Sequence, residues 1–389
     1  MIDALKKDIR LYYAFCFLTG FYVANGTAVL FAQALGLAYS QIFTLTGFYM
    51  LMFILFEVPT GALADLIGRK KTIILGCVVL ALGAVASGLS NNFWQLFSSY
   101  FLWACGFSLI SGASEALLYD RIADDKLFSQ TVGKAAFFAI LGTALAGIVG
   151  PYLFSINFRW AYFGSAIPFT LAAVAVGFFQ ENYREHKGFT FTNHFEQIKA
   201  GVKISISNKF ILWSTGILAL VFAISYTFSN TYQPYLVGIG FPVAQFSYIL
   251  PVMFVVQAVG GWSFGKLLRF GERKLFWFAM LGIALSVSAL GFFPMKTALA
   301  LIFVFMFMEG VARPLVSNYA NRYIDSANRA TVISVQSMIG SMTAAAMLFL
   351  IGFLTDRIGV YSVLIALGAF VLMAGVVLLI FRPKNVQAL

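Results

Sequence analysis

Charge is scarce in this sequence. Asp, Glu, Lys and Arg together make up 11% of its 389 residues, against about a quarter in an ordinary soluble domain. With 61% hydrophobic residues and a mean hydropathy of +0.88, a water-soluble globular chain is excluded. Histidine is nearly missing as well. His186 and His194 both fall in one polar connection, which leaves little for metal chemistry. The three cysteines, Cys16, Cys77 and Cys105, each sit inside an apolar run. A disulfide framework and a cysteine metal site are therefore not expected, and the thiols read as small apolar packing residues. No phosphate loop, HExxH zinc motif or nucleophile elbow occurs, so neither an enzyme nor a cofactor is expected.

What the chain does have is long apolar runs. Crossing ~30 Å of hydrocarbon takes about 20 helical residues. Twelve runs meet that length, at about 11–35, 41–65, 72–90, 93–119, 132–154, 160–180, 209–236, 244–268, 274–293, 297–322, 330–354 and 360–381. The first follows ten mixed residues and is too long for a signal-peptide core, so it is expected to stay in the protein. The connections are short except at 181–208. The expected fold is an all-α polytopic membrane protein, with six-helix bundles at 1–180 and 209–389 and a cytoplasmic linker between them. Within that linker Phe195, Ile198, Val202 and Ile206 interleave with Lys199 and Lys203 at near-helical spacing, the pattern of an amphipathic helix lying on the cytoplasmic leaflet.

Lysine and arginine accumulate in cytoplasmic loops. Placing both termini in the cytoplasm leaves only Arg159, Lys296 and Arg357 at the outer face and Arg313 within a span, so 22 of the 26 cations lie inside. The net charge of +11 is then explained by topology and anionic lipid, with no nucleic-acid partner. The setting expected is the cytoplasmic (inner) membrane of a cell, with the lipid bilayer as partner of a monomer.

The second span ends in Glu-Val-Pro-Thr-Gly-Ala-Leu-Ala-Asp-Leu-Ile-Gly-Arg-Lys-Lys from Glu57 to Lys71, which combines small residues, a glycine turn and a cation cluster. Shifting the chain by 204 positions superposes Gly61 on Gly265, Leu63 on Leu267, Arg69 on Arg273 and Lys70 on Lys274. The same hairpin thus recurs in both halves. Asp65 meets Arg269 and Gly68 meets Glu272, so the second copy lacks the acid. The spacing Gly61, Leu63, Asp65, Gly68, Arg69, Lys70 resembles the cytoplasmic signature of the major facilitator superfamily, whose two six-helix repeats match the halving.

That resemblance implies a transporter in which spans 1, 4, 7 and 10 surround a central cavity. It also implies gating by Gly61, Asp65, Gly68, Arg69 and Asp120, with Asp65 beside the start of span 11 (Arg329 to Thr331) and Arg69 paired with Asp120. The family's antiporter signature in span 5 is matched in part: Gly147-Ile-Val-Gly150-Pro151 is present, with Ala146, Phe154 and Ser155 where the family has glycines.

Ionisable residues inside a span are costly and mark function. Four stand out: Glu57, Glu115, Glu309 and Arg313. Glu115, Glu309 and Glu57 are candidate proton carriers. Glu309 and Arg313, one turn apart, can pair on one face. Either they steady span 10 beside Pro314 or they open to a substrate, Arg313 taking a carboxylate or phosphate. Tyr22 and Asn25 in span 1, and Tyr226, Asn230, Tyr232 and Gln233 in span 7, are candidate substrate contacts. The expected function is proton-coupled secondary transport of a small organic molecule, foremost as efflux by proton antiport. Proton-coupled metabolite uptake is the alternative, and a lipid flippase or scramblase is the alternative of another class.

Overall fold

The computed structural model describes residues 2–122, 124–181, 199, 201–322 and 329–383, and among these there is no strand. The α-helices run in chain order as α1 Ile2–Gly20, α2 Ala28–Ala34, α3 Tyr39–Ile67, α4 Arg69–Leu89, α5 Phe93–Arg121 and α6 Asp125–Ile156. They continue as α7 Trp160–Gly177, α8 Lys209–Gly238, α9 Phe246–Leu267, α10 Glu272–Phe292, α11 Leu299–Arg322 and α12 Arg329–Ile380. Eleven helical segments among the described residues are long and apolar enough to cross a membrane. The protein is a multi-pass membrane protein.

Eleven segments rather than twelve are found because α12 carries two expected spans. It is 52 residues long, roughly 78 Å at 1.5 Å per residue, more than twice the hydrocarbon thickness. The turn between its two halves is Gly359, at φ 79° and ψ 161°, a conformation that costs glycine little. The first span departs from expectation differently. It is interrupted after Gly20 by a 3-10 turn at Val23–Gly26 before α2 begins. Backbone groups freed there find side-chain partners, as they must inside a membrane: the Ala24 N–H donates to Ser165 Oγ at 3.0 Å.

The chain forms two compact units. The first comprises Met1–Leu37, Phe48–Asn193 and Val243–Pro251. In it α4 packs on α5 and α7, and α1 on α6 and α7. A Cβ at Gly142 or Gly150 of α6 would stand 2.2 Å from the Phe17 oxygen or 2.0 Å from the Val23 oxygen, so the two backbones touch, as small residues permit.

The second unit comprises Ala38–Gly47, His194–Pro242 and Val252–Leu389, with α12 packed on α8 and α10 and α10 on α11. The first turn of α3 belongs to this unit. Its Tyr39 and Ser40 N–H groups donate to the two carboxylate oxygens of Asp356 in α12 at 2.8 and 2.9 Å. A carboxylate at a helix N-terminus satisfies orphan donors and meets the positive end of the dipole. Of the linker segment, Phe195 and Ile198 lie outside the described residues. Residues 201–207 are helical, with Ile204 packed against Ile211 and Val332 while Ile206 is exposed.

Candidate functional site

Glu309 is a buried carboxylate in the middle of α11, at 4% exposure. A charge there is tolerable only if hydrogen-bonded and paired, and the second unit supplies both from three helices. Ser225 of α8 donates its hydroxyl to Glu309 Oε1 at 2.5 Å. Gln257 of α9 donates its amide to Oε2 at 2.9 Å. Arg313, one turn along α11, donates through Nε and Nη2 to Oε1 at 3.1 and 2.8 Å. Three of the four donors converge on Oε1, and Oε2 accepts the fourth.

Close helix packing brings Gln257 there. A Cβ at Gly310 would stand 2.0 Å from the Gln257 backbone oxygen, and one at Gly260 would stand 2.2 Å from the Phe307 oxygen. The α9 and α11 backbones therefore meet beside Glu309. Its partner Arg313 is 62% exposed in its side chain and lines a cavity of about 530 Å³. The apolar wall of the cavity is Leu218, Val221, Phe222, Val316 and Ile333; Tyr226, Ser229 and Gln336 add polarity. A buried pair with one partner turned to an open cavity can exchange that partner for a ligand anion.

Among the other residues expected in span 7, only Tyr226 lines this cavity. Asn230 is buried, with its amide donating to the Tyr226 carbonyl at 2.8 Å and its Oδ1 accepting from Thr46 Oγ1 at 3.0 Å. Tyr232 is buried against Phe228, and Gln233 is buried.

In the first unit, Tyr22 lies against Trp103 at 4.6 Å between ring centres, and Asn25 is exposed in the 3-10 turn. Glu57 is exposed on α3. Glu115 is exposed on α5, near Tyr12 and Cys16 of α1. At the other hairpin, Arg69 pairs with Asp120 and also donates to the Ala116 carbonyl at 2.7 Å. Gly68 takes φ 94° at the turn before α4. A Cβ at Gly61 would meet no described atom within 4 Å. Asp65 is half-buried in the first unit, whereas Arg329 to Thr331 belong to the second.

The neutral residues of these sites carry no charge to single them out within a span. Ser225, Gln257 and Gln336 are polar interruptions of apolar runs, and the two amides were visible as such. Glu181 and Asp8 sit at the rim of the first unit. Glu181 accepts from the Lys70 N–H at 3.1 Å. Asp8, fully buried, accepts from Arg121 Nε at 2.6 Å and from the Gln180 N–H at 3.2 Å.

A family model described as Major Facilitator Superfamily matches residues 11–341 and 268–388. An uncharacterized MFS-type transporter, YxaM of Bacillus subtilis, is 24% identical over 352 residues, covering 85% of this chain and 84% of that protein. The multidrug resistance protein MdtH of Salmonella newport is 28% identical over 120 residues, 29% of this chain and 28% of MdtH. The crystal structure of the nucleoside transporter NupG superposes with a TM-score of 0.79 at 12% identity, over 98% of this chain and all of that one, a likeness of fold alone.

Proposed function

The chain belongs to the major facilitator superfamily, and from that premise we propose that it is a proton-coupled secondary transporter, moving a small organic molecule across the cytoplasmic membrane by alternating access. It acts as a monomer with both termini in the cytoplasm, the orientation that the distribution of lysine and arginine favours. The observation that carries the proposal is the Glu309–Arg313 pair, buried at the acid and open to a cavity at the base. A proton on Glu309 removes the charge that holds Arg313 and leaves the cavity with a net positive charge. An anionic substrate and a proton then favour each other's binding, a reciprocity required by linkage. Glu115 and Glu57 are the further proton carriers to be weighed against Glu309.

Mutual promotion favours uptake, in which proton and substrate move together. The second reading is export by proton exchange. Its support is the glycine-rich stretch of α6, where Gly150 packs directly on the backbone of Val23, together with the likeness of 120 residues to a multidrug resistance protein. A lipid flippase would need a headgroup cation facing the bilayer; Arg313 faces a cavity of the second unit, which favours a soluble substrate.

Sealed vesicles containing the purified protein, with a pH gradient imposed in either direction, test both readings against a metabolite and drug panel. Accumulation on the alkaline side supports uptake, and accumulation on the acidic side supports export. No gradient-dependent movement of any solute would sink proton coupling.

A further inference from the structure

We propose that the cavity of the second unit is built for an elongated organic monocarboxylate, with its carboxylate on Arg313 and an apolar body lying along α8. This rests on the transporter reading above and names the substrate class of that site.

The charge that the cavity presents is positive. Glu309 is covered and its charge is already met by four donors from Ser225, Gln257 and Arg313, so it presents little to a ligand cation. Arg313 has five N–H donors. Two are used on Glu309, and the other three remain on the exposed edge of a planar fork that matches a carboxylate. One cation and no second among the described lining residues fit a monovalent head better than a dianionic phosphate.

Length comes from the helix ladder. Arg313 is tied through Glu309 to Ser225, whereas Gln336 donates its amide to Ser214 Oγ and Thr215 Oγ1, both at 3.1 Å. Those contacts are ten to eleven residues apart on α8, roughly 15 Å. Spread over that length, 530 Å³ gives a slot of about 35 Å² in cross-section. Its wall between the two ends is apolar, formed by Leu218, Val221, Phe222 and Ile333.

The far end asks for a donor. Ser214 and Thr215 give their hydroxyl protons to the Ile211 carbonyl at 2.9 and 2.7 Å. They must therefore accept from Gln336, which fixes the amide orientation. Gln336 Oε1 is then a buried acceptor with no partner among the described residues; the side chain is fully covered, so a ligand N–H or O–H relieves that cost only where the cavity wall yields to it. The ligand carries a carboxylate at one end and, at full length, a hydroxyl or amide at the other.

The experiment is binding to the full-length protein in detergent by calorimetry, using ω-phenylalkanoates from phenylacetate to phenylhexanoate. Matched primary alcohols, alkylammonium ions and alkyl phosphates are the comparison series. Carboxylate affinity should rise about three- to fourfold per added methylene until the slot is full and should exceed that of the alcohols at least tenfold. Arg313→Gln should erase the difference between acid and alcohol. Should that variant not fold, Glu309→Gln combined with Arg313→Gln carries the same test without a stranded charge. Equal binding of acids and alcohols, tighter binding of ammonium ions or phosphates, or unchanged acid binding in the variants would overturn the inference. Gradient-driven transport of other solutes with no carboxylate binding defeats this inference alone. Carboxylate binding without any gradient-driven transport defeats the transporter reading alone.

Discussion

Adding one methyl group at Gly310 should do more harm than removing most side chains of α11. A Cβ there would sit 2.0 Å from the Gln257 backbone oxygen, while ordinary contact begins at 3.4 Å. The difference, about 1.4 Å, is how far α9 and α11 must part if each moves as a rigid rod. Gln257 travels with its helix, so its 2.9 Å bond to Glu309 would stretch to about 4.3 Å, beyond any hydrogen bond. Losing a bond to a charged group costs about 1.5–3 kcal/mol, and overpacking adds about 1–3. The better helix propensity of alanine returns about 1, leaving a net loss of roughly 1.5–5 kcal/mol. Gly265→Ala is the control, because a Cβ there meets no described atom within 4 Å, and it should be neutral or stabilising by up to about 1 kcal/mol. Thermal unfolding of both variants in detergent measures the contrast, and the pH dependence of ligand binding reports the lost donor on Glu309. If Gly310→Ala melts with Gly265→Ala and binds with the parent's pH profile, the contact between α9 and α11 does not hold Gln257 in place.

Three further outcomes are expected. Glu309→Gln with Arg313→Gln should recover most of the thermal stability lost in either single variant, since neither charge is then stranded, yet it should not recover gradient-driven transport; recovered transport would make the pair structural. Glu115→Gln should leave substrate exchange intact while abolishing accumulation against a gradient, and accumulation at the parent rate would assign Glu115 to structure. Asp356→Ala removes the carboxylate that caps α3 and should cost roughly 0.5–2 kcal/mol, seen as faster hydrogen exchange at the Tyr39 and Ser40 amides; unchanged exchange would show that packing against α12 suffices.

Hydropathy made the spans legible because membrane helices must be long and apolar whatever surrounds them. The pair of α11 was legible because one helical turn fixes the distance between Glu309 and Arg313 before any tertiary contact exists. The interruption at Val23–Gly26 was not, since Tyr22 to Thr27 stays within an apolar run and only its contact with Ser165 shows where the freed backbone goes. Nor were the roles of Ser225 and Gln257. Neutral polar residues occur throughout such spans, and what selects these two is a crossing of helices distant in sequence. Gln336 is harder still, because its vacancy follows from where two hydroxyl protons point. The linker helix shows the same limit: Ile204, outside the expected apolar stripe, is the residue that packs.

The pairing of Glu309 with Arg313 inside one helix has its effect earliest in the protein's life. During synthesis a segment enters the bilayer before its eventual neighbours are present, and a lone charge at the centre of such a segment costs about 2.5–3.5 kcal/mol. Ser225 is already made when α11 emerges, but it need not have docked. The partner four residues along is present as soon as that turn of helix forms. The segment therefore crosses into lipid close to electrically neutral, carrying within it the arginine that later faces the cavity. A variant lacking one charge should leave a larger share of its chain unintegrated, a loss separate from any change in the stability of the molecules that do fold.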